Sequence, residues 1–184
     1  MLSLRAPPGR YLIAKGINLA VEGRRTALHD AAAFDCQEPI RFLLQKGVNV
    51  NVRDTSDDGD GSTPLHECAR HGHVDCAKLL LDRNADINAL DSSAATALHA
   101  AASRGDLPMV QLLVNPTDDV GGAVDDTAVS GGTDLSLQDT DGRTAWRRAL
   151  LNDHTKVAQF LQKSWSDMIN GKDGGGGGSK PGRV

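Results

Sequence analysis

The sequence predicts an all-α protein in which short helix pairs stack side by side into an α-solenoid. A related tetrapeptide, beginning with threonine, occurs four times in the 184 residues. Small residues and then an aliphatic pair follow most copies, and only 3% of the residues are aromatic, so the core must be mostly Ala, Leu and Val. The tetrapeptides are Thr26–His29, Thr63–His66, Thr96–His99 and Thr144–Arg147.

The repeat becomes recognisable when the four copies are aligned on their threonines, which are 37, 33 and 48 residues apart. The second unit reads TPLHECARHGH from Thr63 and LLDRNADIN from Leu80. This pattern resembles the ankyrin repeat, which has a period of about 33 residues. The resemblance covers roughly residues 11–162. It implies an ankyrin-repeat α-solenoid with short β-hairpin fingers, and a function in protein–protein interaction rather than catalysis.

The residues of each unit have physical roles that agree with this fold. A threonine hydroxyl can cap the first helix, and Pro64 fits the first helical position because its missing N–H would be unpaired there anyway. Gly72 and Gly105 are expected to end the first helices. After the second helices, left-handed caps are predicted at Gly47, Asn84 and Gly132.

The alignment also predicts how the chain is divided. A divergent last unit, with Trp146 and Arg147 in place of Leu and His, is expected to cap the array with its outer side in water. The predicted segments are an N-terminal extension at 1–10, a partial repeat at 11–22, repeat 1 at 23–59, repeat 2 at 60–92, repeat 3 at 93–140 with an acidic, mobile insertion at 116–131, the capping repeat at 141–170, and a disordered Gly-rich tail at 171–184.

Composition narrows the class of function. The formal net charge of −4 gives no reason to expect nucleic-acid binding. No apolar run approaches the roughly 20 residues that span a bilayer. Three cysteines without a CxxC pair suggest neither disulfides nor a zinc knuckle. We therefore predict a monomeric intracellular protein, cytoplasmic or nuclear, that contacts neither nucleic acid nor membrane.

The histidines, cysteines and aspartates that could bind metal or catalyse a reaction have structural explanations in the repeat pattern. His66 and Cys68 are two apart on a helix and cannot chelate one ion. An EF-hand-like start at Asp54 fails at its twelfth position, which is Leu65. Cys68 and Cys76 occupy core positions, which leaves Cys36, at a turn, as the candidate reactive thiol. We predict no active site, metal or cofactor; a divergent enzyme using surface histidines is the weakest alternative.

The family resemblance places a partner across the fingers and the first helices of successive repeats. Mapped by offset from each threonine, this surface also includes Ala33, Leu151 and Asn152. An acidic or phosphorylated protein segment is the predicted ligand, because arginines lie on this surface and acidic residues in two insertions, residues 55–60 of the first finger and residues 116–131. The alternative is a regulatory or spacer segment that docks in cis within a larger protein. The candidate binding residues are Arg25, Phe34, Arg70, His71, Ser103, Arg104 and Arg143.

One modification is also predicted. Asn88, with Leu80 eight residues before it and Asp86 two before it, resembles the ankyrin asparagines that aspartate/asparagine hydroxylases can modify. The alternative is that its side chain braces the finger.

Overall fold

The computed structural model describes residues 25–57, 59–116 and 132–172. Within these ranges the chain forms eight α-helices that are arranged as four antiparallel pairs. The predicted N-terminal extension and partial repeat, most of the acidic insertion and most of the tail lie outside the described residues. The helices are α1 (Ala27–Ala33), α2 (Gln37–Gln45), α3 (Pro64–His71), α4 (Val74–Leu81), α5 (Ala97–Arg104), α6 (Leu107–Val114), α7 (Ala145–Leu151) and α8 (Thr155–Lys172).

The pairs stack in one line, which confirms the all-α solenoid. The first helices α1, α3, α5 and α7 contact one another in sequence, and the second helices form a parallel outer row. Small residues such as Ala31, Ala69 and Ala102 are fully buried between first helices, so the backbones can approach closely. Leu28, Leu65 and other aliphatic side chains fill the space between the rows.

The helix boundaries follow from the residues that end them. Gly72 and Gly105 adopt the left-handed conformation with φ of 79° and 76°, as predicted. The first and last pairs make the same turn with Asp35 and Asp153 at positive φ. After the second helices, Gly47 and Asn84 have φ of 79° and 61°, as predicted, whereas the left-handed cap at Gly132, the first residue after the undescribed part of the insertion, stays a prediction. The next residue, Thr133, donates from its hydroxyl to the carbonyl of Leu113 in the last turn of α6.

The segments between helix pairs, residues 47–62, 84–95 and 132–143, are called the fingers below. Their tips close with backbone hydrogen bonds, for example from Asp91 N–H to the carbonyl of Ala95 at 2.9 Å. The predicted β-hairpin character is not confirmed, because the described residues of the fingers contain turns and no strand.

The last pair differs from the others at its outer face. Leu28 and Leu98 are covered by the following repeat, whereas Trp146 at the same position is 39% exposed. Helix α8 is 18 residues long and runs through Gly171 and Lys172, the first residues of the segment predicted as a tail. Among the helices described here, none is both long and apolar enough to cross a bilayer.

Candidate functional site

The candidate site is the face formed by the first helices and the fingers, which we call the groove. All seven predicted binding residues lie on it, contributed by repeats that are 33 to 48 residues apart in sequence. The groove does not bring them together at one point. Arg25 and Arg70 meet in one cluster, whereas Ser103 and Arg143 line a separate cavity farther along.

A chain of buried histidines fixes the spacing of the groove. His29 accepts a hydrogen bond at Nδ1 from the backbone N–H of Thr26 at 3.2 Å. Its Nε2 lies 3.0 Å from the carbonyl of Ser62, just before the next repeat. His66 and His99 repeat this arrangement toward the carbonyls of Ala95 and Arg143. Since Nδ1 accepts, each ring must carry its proton on Nε2 and donate it to the next repeat.

This role requires neutral histidines. Burial lowers the pKa of His29, His66 and His99, although the hydrogen bonds to the carbonyls act in the opposite direction. The capping unit has Arg147 instead of histidine, and its Thr144 hydroxyl accepts from the Arg147 backbone N–H. The sequence prediction that these histidines are structural agrees with this geometry.

Arg25 and Arg70 are bound to carboxylates of this chain through the buried Glu67, which lies between them. Arg25 Nη2 is 2.7 Å from one oxygen of Glu67, and Arg70 Nη1 is 3.0 Å from the other. Arg25 also contacts Asp30 at 2.8 Å and Asp54 at 3.6 Å. These five residues form the N-terminal cluster.

Arg70 completes its pairing with two acidic residues of the fingers, Asp60 and Asp91. Burial alone would raise the pKa of Asp60, but hydrogen bonds from Ser62 and Arg70 lower it to about 2. The prediction that positive and negative charges occupy separate surfaces is therefore wrong. Asp60, one of the acidic residues of the 55–60 insertion, pairs with Arg70 on the groove.

A cavity of about 180 Å³ opens on the groove between the third and fourth repeats. It is lined by Ser103 on α5, Arg148 and Leu151 on α7, and by Arg143 and Asn152 at the ends of α7. Arg143 Nη1 pairs with Asp141 at 3.0 Å, and Arg148 Nε pairs with the buried Asp139 at 2.6 Å. Of the residues predicted for this surface, the cavity includes Ser103, Arg143, Leu151 and Asn152.

The remaining predicted residues lie along the groove outside this cavity. Phe34, at the end of α1, is 61% exposed. The rings of His71 and His73 stack with centroids 5.8 Å apart. Arg104 donates from Nη1 to the carbonyl of Arg70 at 3.2 Å, which links the second and third repeats.

Asn88 connects two fingers through its side-chain amide. Its Oδ1 accepts from the backbone N–H of Asp134 at 2.9 Å, and its Nδ2 donates to the carbonyl of Gly132 at 3.3 Å. Asn51 makes the equivalent bridge to Asp86 and Asn84 one repeat earlier. Both asparagines therefore brace fingers, and hydroxylation of Asn88 stays a prediction.

The described residues offer little to metal or thiol chemistry. They contain no group of three or more His, Cys, Asp or Glu side chains arranged to hold a metal ion. Cys68 and Cys76 are buried as predicted. Burial, with a smaller effect of Asp35, raises the pKa of Cys36, which opposes the thiolate form that a reactive cysteine needs.

Comparison with known families decides the class of this array. A family model of ankyrin repeats in three copies matches residues 53–125 and 90–174, and a single-repeat model matches residues 23–55. The chain belongs to the ankyrin-repeat family. Ankyrin repeats are in general protein-interaction modules, and no specific partner follows from membership.

Curated relatives carry similar repeats inside longer chains. This ankyrin-repeat chain is 45% identical over 101 residues to human ankyrin repeat and SOCS box protein 16, which covers 52% of the chain and 21% of the relative. It is 38% identical over 96 residues to a mouse B-cell lymphoma 3 protein homolog, covering 52% and 21%. A Caenorhabditis elegans homolog of transient receptor potential cation channel subfamily A member 1 is 30% identical over 167 residues, covering 80% and 14%. The chain thus spans about a fifth or less of these relatives.

Sequence reasoning missed the acidic partners of the groove arginines and the role of Arg148 in the cavity. A regular spacing in the sequence could have identified two of these acidic partners, because Asp91 and Asp139 both lie five residues before a repeat threonine. Each aspartate closes its finger by accepting from backbone N–H groups, including that of Ala95 or Arg143. Glu67 had no such signal, because the other repeats have Asp, Ala or Arg at its position.

Proposed function

We propose that this ankyrin-repeat chain is a non-enzymatic adaptor that binds a segment of another protein along the groove. The observation that carries the proposal is the row of exposed groups that successive repeats contribute along the groove, from Phe34 at the end of α1 to the cavity beside Leu151. Such a row can make many small contacts with an extended partner. This mode of binding is typical of solenoid proteins, in contrast to binding in a single deep pocket.

The partner is proposed to be an acidic or phosphorylated segment of an intracellular protein, bound by the chain as a monomer. The N-terminal cluster restricts where such a segment can be recognised. Arg25 and Arg70 are already paired with three carboxylates each, so a new anion there would have to displace an existing partner. Recognition of acidic groups is therefore proposed for the C-terminal half of the groove.

The experiment compares two exposed phenylalanines that differ in location. Phe34 lies on the groove, and Phe42 lies on α2 in the outer row. The wild-type chain and the Phe34→Ser and Phe42→Ser variants are used as bait for cell extracts, and the bound proteins are identified by mass spectrometry. We expect a partner that the wild type and Phe42→Ser retain and that Phe34→Ser loses.

Recovery of that partner in trans also separates the adaptor from a spacer segment that docks in cis. A partner retained equally by both variants would place binding outside this part of the groove. Equal melting temperatures of the three proteins are the control, because a destabilised variant would lose binding for an unrelated reason.

A further inference from the structure

The groove arginines differ in how many of their donor nitrogens are already used. Arg25 contacts carboxylates through Nε, Nη1 and Nη2, and Arg70 through both Nη1 and Nη2. In contrast, within the part of the chain that the structure describes, Arg143 and Arg148 each pair with one carboxylate, Arg143 through Nη1 and Arg148 through Nε. The two arginines that line the cavity therefore have fewer carboxylate partners than Arg25 and Arg70 have.

The charge of the carboxylate that pairs with Arg148 is already offset by hydrogen bonds from other groups. Asp139 accepts from the backbone N–H groups of Asp141 and Arg143 at 2.9 and 2.8 Å as well as from Arg148. Burial acts to raise the pKa of Asp139, but these hydrogen bonds lower it overall. Asp139 thus holds the Arg148 guanidinium by one edge, and Asp141 is the other acidic group close to the cavity arginines.

The rest of the cavity wall suits a side chain that is partly apolar. Leu151 is 57% exposed and lies at the rim. Asn152 uses its Nδ2 to donate to the Ser103 carbonyl at 3.0 Å, which fixes that side chain across the gap between repeats. A volume of about 180 Å³ corresponds to roughly six water molecules, which is enough for one side chain of the size of glutamate.

From this geometry we infer that the cavity between the third and fourth repeats is the subsite that receives a carboxylate side chain of the partner, followed by an apolar residue on Leu151. The inference rests on the proposed function and names the chemistry of its ligand. The two planar guanidinium groups that line the cavity can recognise a carboxylate by paired hydrogen bonds, and the leucine covers the adjoining apolar group. A phosphorylated side chain is the competing ligand chemistry.

The test uses three short probes on the full chain: N-acetyl-glutamyl-leucine amide, its glutamine counterpart, and its phosphoserine counterpart. Binding is followed by ¹⁵N-resolved NMR titration. We expect saturable shifts at Ser103, Leu151 and Asn152 with the glutamyl probe, and affinity about threefold to tenfold weaker with the glutaminyl probe. Tighter binding of the phosphoseryl probe than of the glutamyl probe would overturn the assignment to a carboxylate.

Arg143→Gln and Leu151→Ala are the informative variants, because Arg148 is needed by the buried Asp139. Each substitution should weaken binding of the glutamyl probe about threefold or more. The control variant Arg41→Gln, on α2 in the outer row, should bind the probe as the wild type does. Unchanged spectra elsewhere in each variant establish that the fold is intact. Shifts centred outside the cavity, equal binding of the glutamyl and glutaminyl probes, or no effect of Arg143→Gln would each overturn the inference.

Failure of this inference is distinguishable from failure of the proposed function. A partner whose capture depends on Phe34 but not on Arg143 would leave the groove function in place and remove the carboxylate subsite. Specific binding of the glutamyl probe without any groove-dependent partner would leave the subsite and remove the adaptor function.

Discussion

Acidification from pH 7.5 to pH 5.5 should destabilise this array through the three buried histidines that connect its repeats. Each ring is at most 1% exposed, accepts at Nδ1 and contacts a carbonyl of the following repeat through Nε2. Burial lowers the pKa of all three. In the unfolded chain these histidines take up protons near pH 6.5, whereas the folded chain resists protonation. The unfolded state therefore binds more protons in this range, and stability falls as the pH falls.

The magnitude follows from proton linkage. A histidine that stays neutral in the folded state and titrates near pH 6.5 when unfolded loses about 1.4 kcal/mol of stabilisation by pH 5.5. Three such residues give at most about 4 kcal/mol, which is a large part of the 5–15 kcal/mol typical of a domain. Asp54, Asp60 and Asp139, whose pKa values are lowered, contribute stability that is lost only at lower pH, near and below about 4.

The assay is urea denaturation at half-unit pH steps between 5.5 and 7.5, with the free energy of unfolding extrapolated at each pH. We expect the free energy of unfolding to fall across this range, by at most about 4 kcal/mol. The His99→Gln variant should be less stable at pH 7.5 and should lose about a third of the pH dependence. A free energy that stays constant from pH 7.5 to 5.5 would refute the neutral, buried histidine chain.

Three further changes test the packing. Glu67→Ala should lower the free energy of unfolding by roughly 2 kcal/mol, because it leaves Arg25 and Arg70 without their shared buried partner. The control is Glu38→Ala, which removes a side chain that is 91% exposed and should change the free energy of unfolding by less than about 0.5 kcal/mol. Equal effects of the two substitutions in denaturation curves would contradict this prediction. Gly105→Ala should cost at least about twice the roughly 1 kcal/mol of Gly47→Ala, since both have positive φ but only at Gly105 would a Cβ lie 2.5 Å from a histidine ring. A chain ending at Gln138 should melt at a lower temperature than the whole, because α5 and α6 lose the helices that cover them; an unchanged melting temperature would show that the fourth repeat is not a cap.

Local features of the array were predictable because they depend on residues close in sequence. The threonine before each first helix, the glycine at the end of α3 and α5, and the Nδ1 bond of the histidine three residues after each of the first three threonines all act within one repeat. The spacing of these residues in the sequence therefore predicts the helix pairs directly. Although Gly132 follows an insertion, its carbonyl accepts from Asn88 as that of Asn84 accepts from Asn51, so it lies at the equivalent position of its finger.

The electrostatics of the groove were not predictable in the same way. Arg25 and Glu67 are 42 residues apart, and Arg70 and Asp91 are 21 apart, so their pairing depends on how fingers of different repeats stack. The distribution of charge along the sequence suggested that the groove arginines are unpaired. In the structure, however, contacts within and between repeats pair Arg25 and Arg70 with three carboxylates each. The same stacking creates the cavity at Ser103 and Arg148, which belongs to no single repeat.

The most direct test of the central claim is hydrogen–deuterium exchange on the chain with and without its captured partner. Binding along the groove predicts slower exchange in the first helices α1, α3, α5 and α7 and in the finger tips near Arg143. It predicts little change in the outer helices α2, α4 and α6. Protection confined to the outer helices, with the groove exchanging as in the free chain, would contradict the account.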